Sequence, residues 1–139
     1  MACWLFKEEP SHYSFDNLVR DKKTVWDGVE NNLALIHLRN VAKGDRVFFY
    51  HTGDEKAVVG IMEIVKGPYA DPKQKDPRLV VVDVKPIGRL ARPVTLAEIK
   101  ANPKFADFAL VKMSRLSVMP VTREQWAEIE RMSRKAARD

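Results

Sequence analysis

The sequence predicts an α+β fold: a mixed, curled sheet or barrel with helices on its flanks. Three observations carry that expectation. Strand-type segments crowd the middle of the chain, from Arg46 to Leu90, and helix signals fill the gaps on either side. The two kinds do not alternate regularly, as they would in a doubly wound parallel sheet. With 139 residues, 45% of them hydrophobic, the chain has the size and apolar content of one domain, so residues 1–139 are expected to share a single core.

The first strand runs from Cys3 to Phe6, with Trp4 and Phe6 on one face by alternation. Ser14 is placed to cap a short helix through Arg20 that turns Phe15, Leu18 and Val19 inward. Thr24–Trp26 is a short extended piece. Asn31 or Asn32 then caps a helix running to about Ala42, with Leu35, Leu38 and Ala42 at helical spacing and Gly44 as its stop signal. Arg46–Tyr50 and Val58–Val65 flank the turn residues Thr52–Lys56 and read as a hairpin.

Gly67 through Pro77, rich in proline and charge, reads as a surface loop. Leu79–Val84 is a third strand, extended past Pro86 by Ile87–Leu90. Thr95 and Glu98 make a capping box that opens a short helix ending before Pro103. Ser117–Val121 reads as an edge strand, because Pro120 has no backbone N–H to donate and fits poorly in a central one. Thr122 and Gln125 make a second box and open a C-terminal helix carrying Trp126, Ile129 and Met132 or Ser133.

Composition excludes several classes. The single Cys3, expected to be buried and inert, rules out an intramolecular disulfide framework and a cysteine-cluster metal site. No metal-ligand spacing, phosphate-cradling glycine loop or nucleophile elbow is present, so no cofactor and no metal are expected. No stretch is long and apolar enough for a membrane span, and the N-terminus lacks the features of a signal peptide. The expectation is a cytoplasmic monomer (nuclear in a eukaryotic source) with no membrane partner. The net charge of +5 and pI near 9.4 favour anionic partners such as nucleic acid. Part of that excess sits in Arg131, Arg134, Lys135 and Arg138, which also reads as a solvated helix end; more lies between Arg89 and Arg92.

Several separated motifs point further. Trp4-Leu5-Phe6-Lys7-Glu8-Glu9-Pro10 opens the chain, Trp26-Asp27-Gly28-Val29-Glu30-Asn31-Asn32 follows, and Gly44-Asp45 leads to Phe48-Phe49-Tyr50-His51. Val59-Gly60, the Tyr69 segment, Val82-Asp83-Val84 and Arg115-Leu116-Ser117-Val118 complete the order. This pattern, covering nearly the whole chain, resembles the EVE domain family. The resemblance implies a PUA-like fold: a mixed, curled five- or six-stranded β-barrel with flanking helices. It also implies a cleft for a modified nucleobase of the 5-methylcytosine or 6-methyladenine type, in DNA or RNA, and a binding role without catalysis.

The resemblance sets Trp26 as an aromatic wall of that cleft, where an indole face stacks on a base; the plain alternative is a buried core tryptophan. Asn31 and Asn32 carry the donors and acceptors that reading a base edge requires, although one of them is needed as the helix cap. Asp27 can accept from an exocyclic amine or cap a turn. Tyr50 and His51 end a strand where pocket residues of such folds lie, and His51 is expected to bond rather than to act as a base. Lys7 suits a phosphate contact, against an ion pair with Glu8 or Glu9, and leaves the first strand beside Ser11. Arg115 and Ser117 belong to the closing motif, and Arg89, Arg92 and Arg115 are further candidates for the backbone contact. Two other readings compete: a PUA-like RNA-binding protein of tRNA or rRNA biology, and an ASCH-like small hydrolase. Asp27, Glu30, His51 and Asp54 supply acids and bases, but no motif fixes a nucleophile among them.

Overall fold

Six strands form one sheet in the order β2-β5-β4-β3-β1-β6, and the computed structural model describes residues 1–135. The strands are β1 (Cys3–Glu8), β2 (Thr24–Trp26), β3 (Arg46–His51), β4 (Ala57–Ala70), β5 (Val80–Thr95) and β6 (Val118–Val121). The helices are α1 (Phe15–Asp21), α2 (Asn32–Arg39), α3 (Leu96–Ala101), α4 (Ala109–Lys112) and α5 (Arg123–Arg134), with a 3-10 turn at Pro103–Phe105. β1 and β3 pair in parallel and every other pair is antiparallel, so the sheet is mixed. Arg138 lies outside the described residues.

The sheet is curled but not closed; β2 and β6 are its edges. Four strand steps separate β1 from β2, which in a flat sheet would be roughly 19 Å. Yet the rings of Phe6 on β1 and Trp26 on β2 have centroids 5.5 Å apart. The bend comes from the β4–β5 pair, whose register shifts at four places along its length. Phe15, Phe49 and Trp26 fill the concave side, with Trp26 meeting Phe49 edge-on at 5.3 Å. On the convex side Trp126 of α5 stacks on Phe48 at 3.6 Å. The central strand β3 is therefore buried on both faces, which explains its unbroken apolar run.

The capping signals hold. Ser14, Thr95 and Thr122 each accept from the N3 backbone N–H of the helix they open, and each has the reciprocal bond. Pro120 lies exposed on an edge strand, as its missing donor requires. Other expectations are corrected. Val19 is 43% exposed, because the seven-residue α1 turns only Phe15 and Leu18 onto the sheet. α2 stops at Arg39 with Asn40 as its C-cap, and Ala42 is exposed. Residues 42–45 instead form a turn around buried Asp45. Its carboxylate accepts the Ala42 N–H at 2.9 Å, the Trp4 indole N–H at 2.9 Å and the Ala2 N–H at 3.1 Å. Gly44, at φ +95°, serves that turn rather than the helix end.

The expected loop from Gly67 to Pro77 is shorter. β4 runs through Ala70, which pairs with Val80, and β5 continues unbroken past Pro86 to Thr95. Leu79 stays outside the strand, where its carbonyl accepts the Asp71 N–H at 3.1 Å. Cys3 is half-buried rather than buried, and burial pushes its thiol pKa up.

Candidate nucleic-acid interface

The parallel ladder between β1 and β3 sets Lys7 opposite Tyr50 and Glu8 opposite His51 at one end of the sheet. Side chains alternate across a strand, so Lys7 and Glu8 leave β1 on opposite faces. Several concavities lie near this end, and three of them hold predicted site residues.

The first is a cleft of about 180 Å³ lined by Glu8, His12, Tyr13, Val25, Trp26 and Asp27. Trp26 is only 5% exposed, with Phe6 and Phe49 packed against its ring, so it serves as both core and cleft wall. Glu8 is held by His12, whose Nδ1 lies 2.9 Å from its carboxylate, and it accepts the Glu9 N–H at 3.1 Å. Tyr13 donates its hydroxyl to Asp21 at 2.9 Å, which fixes the ring at the cleft edge. Two carboxylates, Glu8 and Asp27, thus stand beside an aromatic wall. Carboxylates accept hydrogen bonds from the exocyclic amine of cytosine. His12 and Tyr13 were missed by sequence reasoning. Their signal was placement: they sit in the β1–α1 connection, just before the Ser14 cap, at the same sheet end as Trp26.

The second concavity, about 360 Å³, lies between the start of α2 and the segment after α4 and is lined by Asn31, Leu33 and Arg115 among others. Asn31 is the helix cap: its side chain accepts the Ala34 N–H at 3.0 Å. Asn32, the other member of the pair, lines none of the three concavities and accepts from Arg78 at 3.1 Å. The third, about 280 Å³, contains Lys7 and Tyr50. Lys7 makes neither predicted ion pair. Its ammonium donates to the Ser114 carbonyl at 2.9 Å and lies 5.7 Å from the Tyr50 ring centroid.

The remaining candidates border none of the three concavities. His51 is buried, with Nε2 accepting the Phe15 N–H at 3.0 Å and Nδ1 2.7 Å from Glu55. The Phe15 bond requires a lone pair on Nε2, so the ring proton sits on Nδ1 and is directed at Glu55. Ser11 is exposed and bonds Glu9 at 3.2 Å. Ser117 is half-buried and contributes its carbonyl to the Lys7 N–H at 2.9 Å. Of the expected backbone-contacting arginines, Arg89 is paired with Asp16 and lies over Phe15, and Arg92 is clamped by Glu98 at 2.7 and 3.0 Å. Only Arg115 opens onto a concavity.

Among the described residues no three His, Cys, Asp or Glu side chains are grouped to hold a metal ion, and no helix is long and apolar enough to cross a membrane.

Comparison with known proteins identifies the family and the fold. The family model of the EVE domain matches residues 2–132. Human thymocyte nuclear protein 1 is 31% identical over an alignment of 157 positions, spanning 88% of this chain and 70% of that protein. The solution structure of Rpa0253 from Rhodopseudomonas palustris is 43% identical, with a TM-score of 0.92, covering 99% of this chain and 97% of that one. The crystal structure of human THYN1 in complex with 5-methylcytosine-containing DNA superposes with a TM-score of 0.91 at 28% identity, covering 99% of this chain and all of that one.

Proposed function

The chain belongs to the EVE domain family, and on that premise we propose that it is a non-enzymatic reader of modified bases in nucleic acid. The base, of the 5-methylcytosine type and carried by DNA, enters the cleft at the ends of β1 and β2. The observation that carries this reading is the pairing of an aromatic wall with two carboxylates, Trp26 beside Glu8 and Asp27. The human relative solved with 5-methylcytosine DNA supports the same ligand class.

The chemistry follows from the residues. A base reaches such a cleft only when turned out of its stack, which costs a few kcal/mol in a duplex. Stacking on an aromatic surface returns roughly 1–3 kcal/mol per base. A methyl group adds apolar area that Trp26 and Val25 can cover without any hydrogen bond, at about 25 cal/mol per Å². Asp27, which is exposed and unpaired among the described residues, accepts from the exocyclic amine; Glu8 is already half-engaged by His12. Catalysis by His51 is disfavoured, since both its ring nitrogens are committed within the fold.

The test is a panel of oligonucleotides, in DNA and RNA, carrying cytosine, 5-methylcytosine, adenine or 6-methyladenine at one position. Tighter binding of 5-methylcytosine DNA, with the oligonucleotide recovered unchanged, is expected. Equal affinity for all members, or release of a base or deaminated product, would sink the proposal.

A further inference from the structure

The third concavity has a composition that the base-reading cleft does not explain. Three cations, Lys7, Lys56 and Lys100, line it, and no carboxylate does. None of the three lysines is in an ion pair among the described residues, although many other charged side chains of the chain are paired. At the wall lies Tyr50, 98% buried. Its hydroxyl has no hydrogen-bond partner among the described residues, and burial alone pushes its pKa up to about 12. A phenol at that value stays protonated, and so remains a donor, throughout the neutral range. The hydroxyl opens into the cationic pocket with no protein partner among the described residues, so an oxyanion acceptor held by the lysines would lie within its reach.

From this arrangement we infer that the pocket between β3, α3 and α4 is a binding site for a phosphate group, held by Lys7, Lys56, Lys100 and the hydroxyl of Tyr50. Each contributes what a tetrahedral oxyanion needs. Lys7 has one N–H committed to the Ser114 carbonyl, which orients its ammonium, and two left to donate. Burial pulls Lys7 below its usual pKa range, a penalty that a bound anion would relieve. Lys56 and Lys100 are exposed at the mouth and supply charge. Leu96, Leu110 and Val111 form its apolar walls. The site stands on its own geometry, whether or not the Trp26 cleft takes a base.

The phosphate can come from the backbone of a bound strand or from a free phosphate ester, and one experiment separates the two. Inorganic phosphate is titrated into the full chain at constant ionic strength, following the backbone amides of Thr52 and Gly53, which border the pocket. Saturable shifts are expected. The Lys56→Ala/Lys100→Ala variant, altered only at exposed positions, should bind phosphate about tenfold more weakly or worse, and Tyr50→Phe about fivefold more weakly. Shifts that never saturate, or that survive unchanged in the double lysine variant, would overturn the site. An unmodified oligonucleotide lacking terminal phosphates is then the second arm. If it moves the same amides and weakens in the double variant, the strand backbone is the source. If only inorganic phosphate or a mononucleotide does so, the source is a free ester. The ratio of affinities for 5-methylcytosine and cytosine oligonucleotides, measured on the same variants, reports on the Trp26 cleft separately.

Discussion

The Nε2 atom of His51 accepts the backbone N–H of Phe15 at 3.0 Å, across 36 residues of chain. This bond ties the start of α1 to the end of β3, and it holds the β1–α1 connection that carries His12 and Tyr13 into the cleft. His51→Ala would leave the Phe15 N–H buried without a partner. A loss of about 1–3 kcal/mol is expected, seen as a lower denaturant midpoint. The oligonucleotide recovered from any incubation should be chemically unchanged for both proteins. A variant of undiminished stability would show that the bond contributes nothing.

Arginines differ in whether they are free to meet a phosphate. Arg92 is held by both oxygens of Glu98, whereas Arg115 opens onto the concavity beside Asn31. If a strand crosses that concavity, Arg115→Ala should reduce the slope of log affinity against log salt by about one, for modified and unmodified oligonucleotides alike. Arg92→Ala should leave the slope unchanged and lower the melting temperature instead. Equal slopes for wild type and Arg115→Ala would remove that surface from the interface.

Glu128 should shape the acid limb of stability. It is buried on α5, and its hydrogen bonds from Arg131 at 2.7 and 2.9 Å and from Asn102 at 2.7 Å hold its carboxyl down at about 2, against the desolvation that would raise it. The folded-state value lies below the unfolded one, near 4.5. Its contribution is therefore complete above the unfolded value and disappears as pH falls from about 4.5 toward 2. Denaturant midpoints across that range should fall steeply in wild type and less so in Glu128→Gln, which starts lower at neutral pH. Parallel curves for the two proteins would contradict the assignment.

The legible parts of this chain were the local ones. Ser14, Thr95 and Thr122 were readable as caps because the bonds close within three residues. The edge position of β6 was readable because Pro120 forbids a central one. Choosing between Asn31 and Asn32 needed the actual helix start, which a one-residue ambiguity hides. The site divided into three concavities because neighbouring strand positions point to opposite faces. Lys7 and Glu8 look like one motif in sequence, but the pleat sends them to different pockets. Tyr50 and His51 divide in the same way, one to a pocket and one to a buried bond. The approach of Trp26 to Phe6 depends on the irregular β4–β5 register, for which no pattern of residues gave a signal.

The last prediction separates the two duties of Trp26. Because the ring is nearly buried against Phe6 and Phe49, Trp26→Ala should cost about 3–5 kcal/mol of stability. Losing the stacking surface should also cost roughly 1–3 kcal/mol of binding, on the order of ten- to a hundredfold in affinity. A single variant cannot tell lost binding from a disturbed fold, so Asp27→Ala is the necessary companion. Asp27 is exposed and bonds nothing among the described residues, so its removal should leave the melting temperature within a degree or so of wild type. If Asp27 accepts the exocyclic amine of a base in the cleft, affinity should still fall by about fivefold, the worth of one hydrogen bond of about 1 kcal/mol. Trp26→Phe then completes the comparison, since it keeps an aromatic surface while removing part of the core volume. Retained preference for 5-methylcytosine in Trp26→Phe, together with its loss in Trp26→Ala, would mark the ring as the wall. Preference that survives in the folded fraction of Trp26→Ala and in Asp27→Ala alike would move the base site away from this cleft.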